Sequence, residues 1–319
     1  MHEFQLIKNY FKKLTKKNPN SLSLNDDVFF DKKKKLIVSI DTYTEGNHFK
    51  DFKKPELVIK KIIRSSISDL ICKGVKPKYY FISGSGNKKS FSKSNLRKIS
   101  KSLNEEQKKY KIFLSGGDTV FSNKLSFTIT SIGFDNNIVY RNKAKVNDDI
   151  YVSGDLGDSF VGLMLLKKKI KLNNLLSKYF TNKYFMPSIQ LKLANHIRKF
   201  ANTSIDISDG LIDDLHKMID TQKFSYKINL KDVPISNNLK KVLNLKKLSK
   251  INFISNGDDY QVLFTASKNK SGIIRKISSK YRIKLTKIGF IQRVGIKPSI
   301  IDHKNMKIAV KNKGYRHQF

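Results

Sequence analysis

The chain is short of acid. Only 26 Asp and Glu face 64 Lys and Arg, which leaves a formal net charge of +38 over 319 residues. It has one cysteine, Cys72, so an intramolecular disulfide is excluded and a reducing cytoplasm fits. No apolar run approaches the roughly 18 residues that a membrane span needs. The N-terminus has no uninterrupted apolar stretch of the kind a secretory signal contains. No paired Cys/His set points to zinc, and no Gly-x-Ser-x-Gly elbow points to acyl transfer. Gly154-Asp155-Leu156-Gly157-Asp158-Ser159 lacks the third glycine of a dinucleotide fingerprint, and no Gly-Lys-Ser/Thr follows it. It reads either as a turn or as a phosphate site at a helix N-terminus.

What is present suffices for a folded core. Hydrophobic residues make up 39% and aromatics 11%, well above a disordered composition, and the length is that of about two domains. The basic excess is mostly lysine spread along the whole chain, beside abundant Asn, Ile, Ser and Phe. These residues share A/T-rich codons, so compositional drift accounts for the charge. A nucleic-acid binder more often gathers its basic residues on one face, interleaved with stacking aromatics. No specific nucleic acid and no membrane is therefore expected as a partner.

Phe4, Ile7, Phe11 and Leu14 share one helical face, so the first eighteen residues read as an amphipathic helix. Strands are expected at 36–40, 79–82, 111–114 and 125–134, with helices at 55–73 and 94–110 between them. Past a basic connector at 141–147 the pattern restarts. Strands are expected at 150–153, 204–207, 226–230, 260–265 and 285–291, with helices at 158–168, 187–200 and 209–219 and one before each of the last two strands. Alternating strands and helices in both halves give an α/β (α+β) chain of two domains, 1–145 and 146–319.

The scarce carboxylates gather at strand ends beside Gly, Ser or Thr. They stand in Asn25-Asp26-Asp27, Ser39-Ile40-Asp41-Thr42, Ser115-Gly116-Gly117-Asp118-Thr119 and Asp206-Ile207-Ser208-Asp209-Gly210, and Asp69 lies in the first long helix. Hard divalent cations take oxygen ligands, and Mg²⁺ is usually held by a few carboxylates together with substrate phosphates. Glycine beside a carboxylate lets backbone N–H groups approach a phosphate. Any one such motif can be a cap or a turn. Five in a basic chain point to a polymetal, polyphosphate site.

These segments resemble a known family. Asp41-Thr42 followed by Glu45-Gly46-Asn47-His48-Phe49 resembles the thiamine-monophosphate kinase pattern D-T-x-x-x-G-x-H-F. Ile67-Ser68-Asp69-Leu70, with Gly74 following, resembles L-S-D-L-x-x-x-G. Ser115 to Thr119 matches the G-G-D-T turn, and Asp206 to Leu215 matches D-x-S-D-G-L-x-x-D-L. Ser255 to Tyr260 resembles S-G-G-E-D-Y, and the tail from Gly314 to Phe319 resembles G-Y-x-H-F. The matches run in order through nearly the whole chain.

The resemblance implies a fold shared with aminoimidazole-ribonucleotide synthetase, selenophosphate synthetase and a hydrogenase-maturation enzyme. Its N-terminal mixed-sheet domain would pair in a homodimer. The activity implied is ATP-dependent phosphorylation of thiamine monophosphate by direct in-line transfer, with no protein nucleophile. Asp27, Ser39, Asp41, Thr42, Asp69, Asp118, Asp206 and Asp209 would belong to the Mg²⁺ sites. Gly117, Asp118, Arg141 and Ser208 would contact ATP, and His48, Asp258 and Tyr315 would face the thiamine phosphate.

Some positions depart from the pattern. Ile40 stands for a metal-ligating Thr, Asn25 for Gly, and Asn256 and Asp258 for Gly and Glu. Met186-Pro187-Ser188-Ile189-Gln190 stands for R-P-x-P-R. Two alternatives remain open: another ATP-dependent member of this superfamily, or a basic nucleic-acid-binding protein with a decayed kinase site. Selenophosphate synthetase itself is disfavoured, because Cys72 lies in a helix and not in an N-terminal glycine-rich loop.

Overall fold

The computed structural model describes residues 3–310, 312, 314 and 315. Eleven strands among these residues form two mixed sheets. The first has the order β1-β2-β5-β3-β4, from Phe29–Asp31, Leu36–Thr44, Ser126–Phe134, Pro77–Gly86 and Phe113–Phe121. Its pairings are antiparallel apart from the parallel β3–β4 ladder. The second has the order β11-β8-β10-β6-β9-β7, from Ser299–Ile301, Ser225–Asn229, Leu285–Gln292, Asp149–Ser153, Val262–Ala266 and Ala201–Asp206. Both sheets require crossovers, which one sequence does not disclose.

The helix Pro55–Cys72 joins the sheets. Pro55 opens it at a position where the missing N–H costs nothing, and Gly74, at φ +81°, turns the chain out of it. The helix contacts β2 and β5 of the first sheet and β7 and β9 of the second. Flanked in this way it is buried nearly all round, its polar residues included. Ile59, Ile62, Ile63 and Ile67 share one core with Phe127 and Ile129 of the first sheet and Val262 and Phe264 of the second. Burying each such side chain stabilises the fold by about 1.5–3 kcal/mol. The buried polar residues find partners. Ser66 and Ser131 hydroxyls lie 2.8 Å apart, and Arg64 forks onto Glu106 at 2.8 and 2.9 Å.

Several expectations need correction. The first residues form a short α-turn at Glu3–Leu6, a π segment at Ile7–Phe11 and a 3₁₀ turn at Lys12–Thr15. Phe11 and Leu14 are exposed, so the presumed apolar face covers no core; the Phe4 side chain lies outside the described residues. The helix expected at 187–200 is reduced to short turns at Leu191–Ala194 and Ile197–Lys199. An unforeseen helix, Asn174–Phe185, precedes it. Its signals are the Asn173 cap, whose side chain accepts the Leu176 N–H, and the buried Leu176, Phe180 and Tyr184 at a spacing of four.

The expected Gly-Gly-Asp turn is instead the middle of β4. Gly117 is there because an added Cβ would lie 1.8 Å from the Ile82 carbonyl oxygen, beside a register shift in the β3–β4 ladder. Glycine marked a close backbone approach here, not a turn.

Candidate active site

A cleft of about 920 Å³ opens where the two sheets and the Pro55–Cys72 helix meet. Glu3 and eight aspartates (Asp26, Asp27, Asp41, Asp69, Asp206, Asp209, Asp214 and Asp220) line it. More than a third of the chain's 26 acidic residues therefore face one cavity. Asp41 and Thr42 come from β2, Asp69 from the last turn of the long helix, and Asp206 from the end of β7. Asp26 and Asp27 precede β1, and Ser208 and Asp209 occupy the loop after β7.

That loop is tightly built. The Asp214 carboxylate accepts the N–H groups of Asp209 and Gly210, each at 2.9 Å, folding the first turn of the next helix (Leu211–Ile219) back onto it. Gly210 sits at φ +131°, and a Cβ there would lie 2.4 Å from the Ser255 carbonyl oxygen. A second loop braces it from outside. The N–H groups of Asp258 and Tyr260 donate to the carbonyls of Ser208 and Ile207 at 2.9 and 2.8 Å.

The carboxylates differ in what faces them. The Lys73 ammonium, fully buried, lies 2.7 Å from Asp26 and 2.8 Å from Asp27, and also donates to the Ser204 carbonyl at 3.0 Å. Arg141 reaches Asp27 at 3.1 Å. Burial works to raise the Asp27 pKa, but Lys73 and Arg141 overcome it and hold the carboxyl well below its ordinary range. Among the described residues, no lysine or arginine pairs with Asp41, Asp69 or Asp206. Burial pushes Asp41 up to about 7, partly opposed by the Tyr43 hydroxyl, with the Asp27 charge adding to the rise. Burial and then the Asp27 charge push Asp206 up to about 8, although the Ser68 hydroxyl donates to it at 2.5 Å. Asp69 is raised by burial and by Asp41, Asp206 and Asp27.

At the far end, Asp209, Asp213 and Asp214 lie with their carboxylates within 4.8 Å of one another. Lys217 pairs with all three, at 3.2 Å from Asp213 and 3.0 Å from Asp214. One lysine among three carboxylates does not suffice. Burial and Asp214 still lift Asp209 to about 7.

The cleft thus brings together Asp27, Asp41, Thr42, His48, Asp69, Arg141, Asp206, Ser208 and Asp209. Arg141 is already engaged. Its Nη1 is on Asp27, and Nε and Nη2 donate to the Lys217 carbonyl at 3.2 and 2.7 Å. His48 accepts the Thr44 N–H on Nδ1 at 3.0 Å and stacks edgewise against Tyr43.

Other expected site residues lie outside the cleft lining. Ser39 is buried within β2, its hydroxyl 3.4 Å from the Ser66 carbonyl. Gly117 and Asp118 lie on β4, the exposed edge of the first sheet. Asp258 turns to Lys61, 2.5 Å away. Tyr315 touches the site by its backbone, donating to the Asp209 carbonyl at 3.0 Å; residues 316–319 lie outside the described residues. Lys73 and Lys217 were not foreseen. In a chain with lysine everywhere, nothing marks two of them, although Lys217 follows Asp213 and Asp214 at helical spacings of four and three.

Comparison with known proteins agrees with this geometry. A family model described as AIR synthase related protein, N-terminal domain, matches residues 25–134. The thiamine-monophosphate kinase of Buchnera aphidicola subsp. Acyrthosiphon pisum is 34% identical over 326 aligned residues, covering 99% of this chain and 98% of that one. The enzyme of that name from Haemophilus influenzae is 30% identical, over 91% of this chain and 89% of the relative. Among solved structures, AaThiL complexed with AMPPCP and TMP superposes with a TM-score of 0.85 at 27% identity, covering 99% of this chain and 97% of that one. Hydrogenase maturation protein HypE in complex with ATP shares the fold, with a TM-score of 0.68 at 16% identity over 97% of this chain and 94% of that one. With its aspartate-lined cleft and full-length likeness to these kinases, the chain belongs to the thiamine-monophosphate kinase family.

Proposed function

We propose that this protein transfers the γ-phosphoryl group of ATP to thiamine monophosphate, giving thiamine diphosphate and ADP. The observation that carries the reading is the convergence of Asp27, Asp41, Asp69, Asp206 and Asp209 on one cleft in a chain otherwise starved of carboxylates. The relatives' shared name supplies the substrate.

The donor set fits Mg²⁺. It consists of carboxylate oxygens with Thr42 and Ser208 beside them, and four of the carboxyls are pushed up, by burial first and by neighbouring carboxylates second. Asp27, Asp41, Asp69, Asp206 and Asp209 would hold it, and bound there it supplies positive charge against the phosphates of both substrates. The protein's own part is positioning. The attacking phosphate monoester has a second pKa of about 6 and is ionised at neutral pH, so no general base is required. Asp214 and the loop carrying Asp258 fix Ser208 and Asp209, and the buried helix fixes Asp69. Transfer proceeds directly, without a phosphoenzyme.

We further infer a homodimer, built on residues 1–145 as the ATP, metal and dimerisation domain, with 146–319 as the C-terminal domain. The β4 edge is exposed along its whole length, and Ile40, Val120 and Phe121 stand bare on the first sheet. Pairing two such sheets covers them and gives Gly117 and Asp118 a route to nucleotide that the single chain does not supply. Phe121→Lys should shift the mass in light scattering from dimer to monomer. A wild-type monomer at the working concentration sinks the inference. With one cysteine and with lysines dispersed along the chain, we place the protein in the cytoplasm without a specific nucleic-acid partner.

The deciding assay is chromatographic detection of thiamine diphosphate from ATP and thiamine monophosphate, with and without Mg²⁺. Product should appear only with the metal, and unphosphorylated thiamine should be a poor substrate. Equal turnover of both compounds removes the mechanism.

A further inference from the structure

We propose that Lys61 and Tyr184 are positioning residues that set the thiamine-phosphate side of the site by joining His48 to Asp258. The proposal rests on the kinase reading above. Lys61 lies on the Pro55–Cys72 helix and is 1% exposed. A buried ammonium must find partners, and this one finds three. Its Nζ is 2.5 Å from Asp258 Oδ1, 3.8 Å from the centroid of the Tyr184 ring and 5.7 Å from that of Tyr260. The Tyr260 hydroxyl donates to the same Asp258 oxygen at 3.1 Å. On the other side, the Tyr184 hydroxyl donates to the His48 carbonyl at 3.0 Å.

The result is a continuous path: His48, Tyr184, Lys61, Asp258. Its members come from the loop after β2, the helix Asn174–Phe185 between β6 and β7, the central helix and the loop before β9. Neither His48 nor Asp258 is held by its own element alone. Asp258 sits at φ +68°, a conformation a non-glycine residue keeps only when its surroundings enforce it. Lys61 and the bond from the Asp258 N–H to the Ser208 carbonyl are those surroundings. Lys61 thus fixes Asp258 through one oxygen, and Asp258 braces Ser208 on the rim of the cleft.

With Oδ1 committed to Lys61 and Tyr260, the Oδ2 of Asp258 has no hydrogen bond among the described residues, and it would be the oxygen that meets substrate although Asp258 stands outside the cleft lining. Because the lysine balances its charge, Asp258 presents a hydrogen-bond acceptor more than a net anion. The distinction bears on the substrate, which carries a cationic thiazolium ring and an anionic phosphate.

Steady-state kinetics with both substrates varied tests the proposal on wild type, Lys61→Met, Tyr184→Phe and Lys61→Met/Asp258→Asn. Wild-type turnover is measured first, since its absence would refute the kinase reading itself. Lys61→Met should raise the KM for thiamine monophosphate by about tenfold or more and leave that for ATP within about twofold. Tyr184→Phe keeps the ring under the ammonium and loses only the bond to His48, so the same KM should rise by roughly threefold. In the double variant the KM should match that of Lys61→Met, because the two residues act as one unit. A purely structural role predicts lowered melting temperature with both KM values moving together or neither moving, and that result overturns the proposal. If Lys61→Met does not fold, Tyr184→Phe decides: an unchanged KM for thiamine monophosphate overturns it.

Discussion

The two carboxylate groups of the cleft are built on opposite principles. Around Asp26 and Asp27, two internal cations, Lys73 and Arg141, answer two carboxylates, and Asp27 stays ionised despite burial. Around Asp41, Asp69 and Asp206 no lysine or arginine among the described residues lies within ion-pairing distance, and burial raises all three carboxyls, Asp41 to about 7 and Asp206 to about 8. The Asp209 group, with one lysine for three carboxylates, falls with the second kind. Burial is common to all of them, so the ratio of fixed cations to carboxylates decides the outcome. The first group is charge-balanced within the protein, and Asp27 would meet a metal as a carboxylate already ionised. The second is electrostatically incomplete until external positive charge arrives, which is the condition expected of a site that works on Mg·ATP.

The largest effect should come from making the first group resemble the second. Lys73→Met removes an ammonium that is wholly buried and leaves Asp26 and Asp27 with Arg141 alone. Breaking one partner out of a buried ion pair costs about 3–5 kcal/mol. Urea unfolding of the metal-free protein should show a loss of that order. Millimolar Mg²⁺ should recover part of it, since the variant offers one more uncompensated carboxylate. A loss below about 1 kcal/mol, the usual worth of a surface pair, would mean that Lys73 is solvated and the contrast between the groups is false.

The converse change lightens the second group. Asp206→Asn keeps the size of the side chain and its contact with Ser68, and removes one of three repelling charges. Turnover should fall by roughly 10²–10³-fold, the usual cost of deleting a group that stabilises transition-state charge. The metal-free protein should nevertheless melt at a higher temperature than wild type, while Mg·ATP should shift the variant far less. Near wild-type turnover with an unchanged Mg·ATP shift would show that Asp206 lies outside the working site.

The contrast between these groups was only half legible in the sequence. The aspartates of the second group stood out because acid is rare in this chain and because each stands close to Ser or Thr next to an apolar run, although β2 continues past Asp41 to Thr44. The central helix was equally plain, since its isoleucines, opening proline and closing glycine agree. The cations of the first group were invisible. Lys73 is one lysine among dozens, and only the packing of the helix end against β7, where the Ser204 carbonyl receives it, sets it apart. Asp258 stood out only through the resemblance, and its partner Lys61 lies 197 positions away on a helix that reads as apolar. The Gly116-Gly117-Asp118 segment misled for the opposite reason. Its local chemistry is that of a turn, but the steric demand that fixes glycine there comes from Ile82 on the neighbouring strand.

The smallest effect, and the most direct reading of the contrast, is the pH dependence of stability without metal. For Asp41, Asp206 and Asp209 the folded pKa values, about 7, 8 and 7, lie above the ordinary carboxylate value of 3.8. Below about pH 4 these groups are protonated in both the folded and the unfolded chain and contribute nothing. Between about 4 and 8 the folded protein keeps protons that the unfolded chain has released, so stability declines as pH rises. Above about 8 both states are ionised and the penalty is complete. Asp27 has the opposite sign. Its folded pKa is depressed, so its contribution is present above the unfolded value and is lost only as the solution becomes strongly acidic. Across pH 5 to 8, then, Asp27 adds no slope, whereas Asp41, Asp206 and Asp209 do. Thermal melts in EDTA should show the midpoint falling over that interval, and saturating Mg·ATP should flatten or reverse the trend, because bound positive charge favours the ionised carboxylates. Asp206→Asn should reduce the slope in EDTA by removing one titrating group, and Asp27→Asn should reduce it less, by taking away a charge that adds to the rise of Asp41 and Asp206 while burial still holds both up. If the midpoint is level from pH 5 to 8 without metal, the three carboxyls are not held protonated by burial and their neighbours' charges, and the second group is as well balanced as the first.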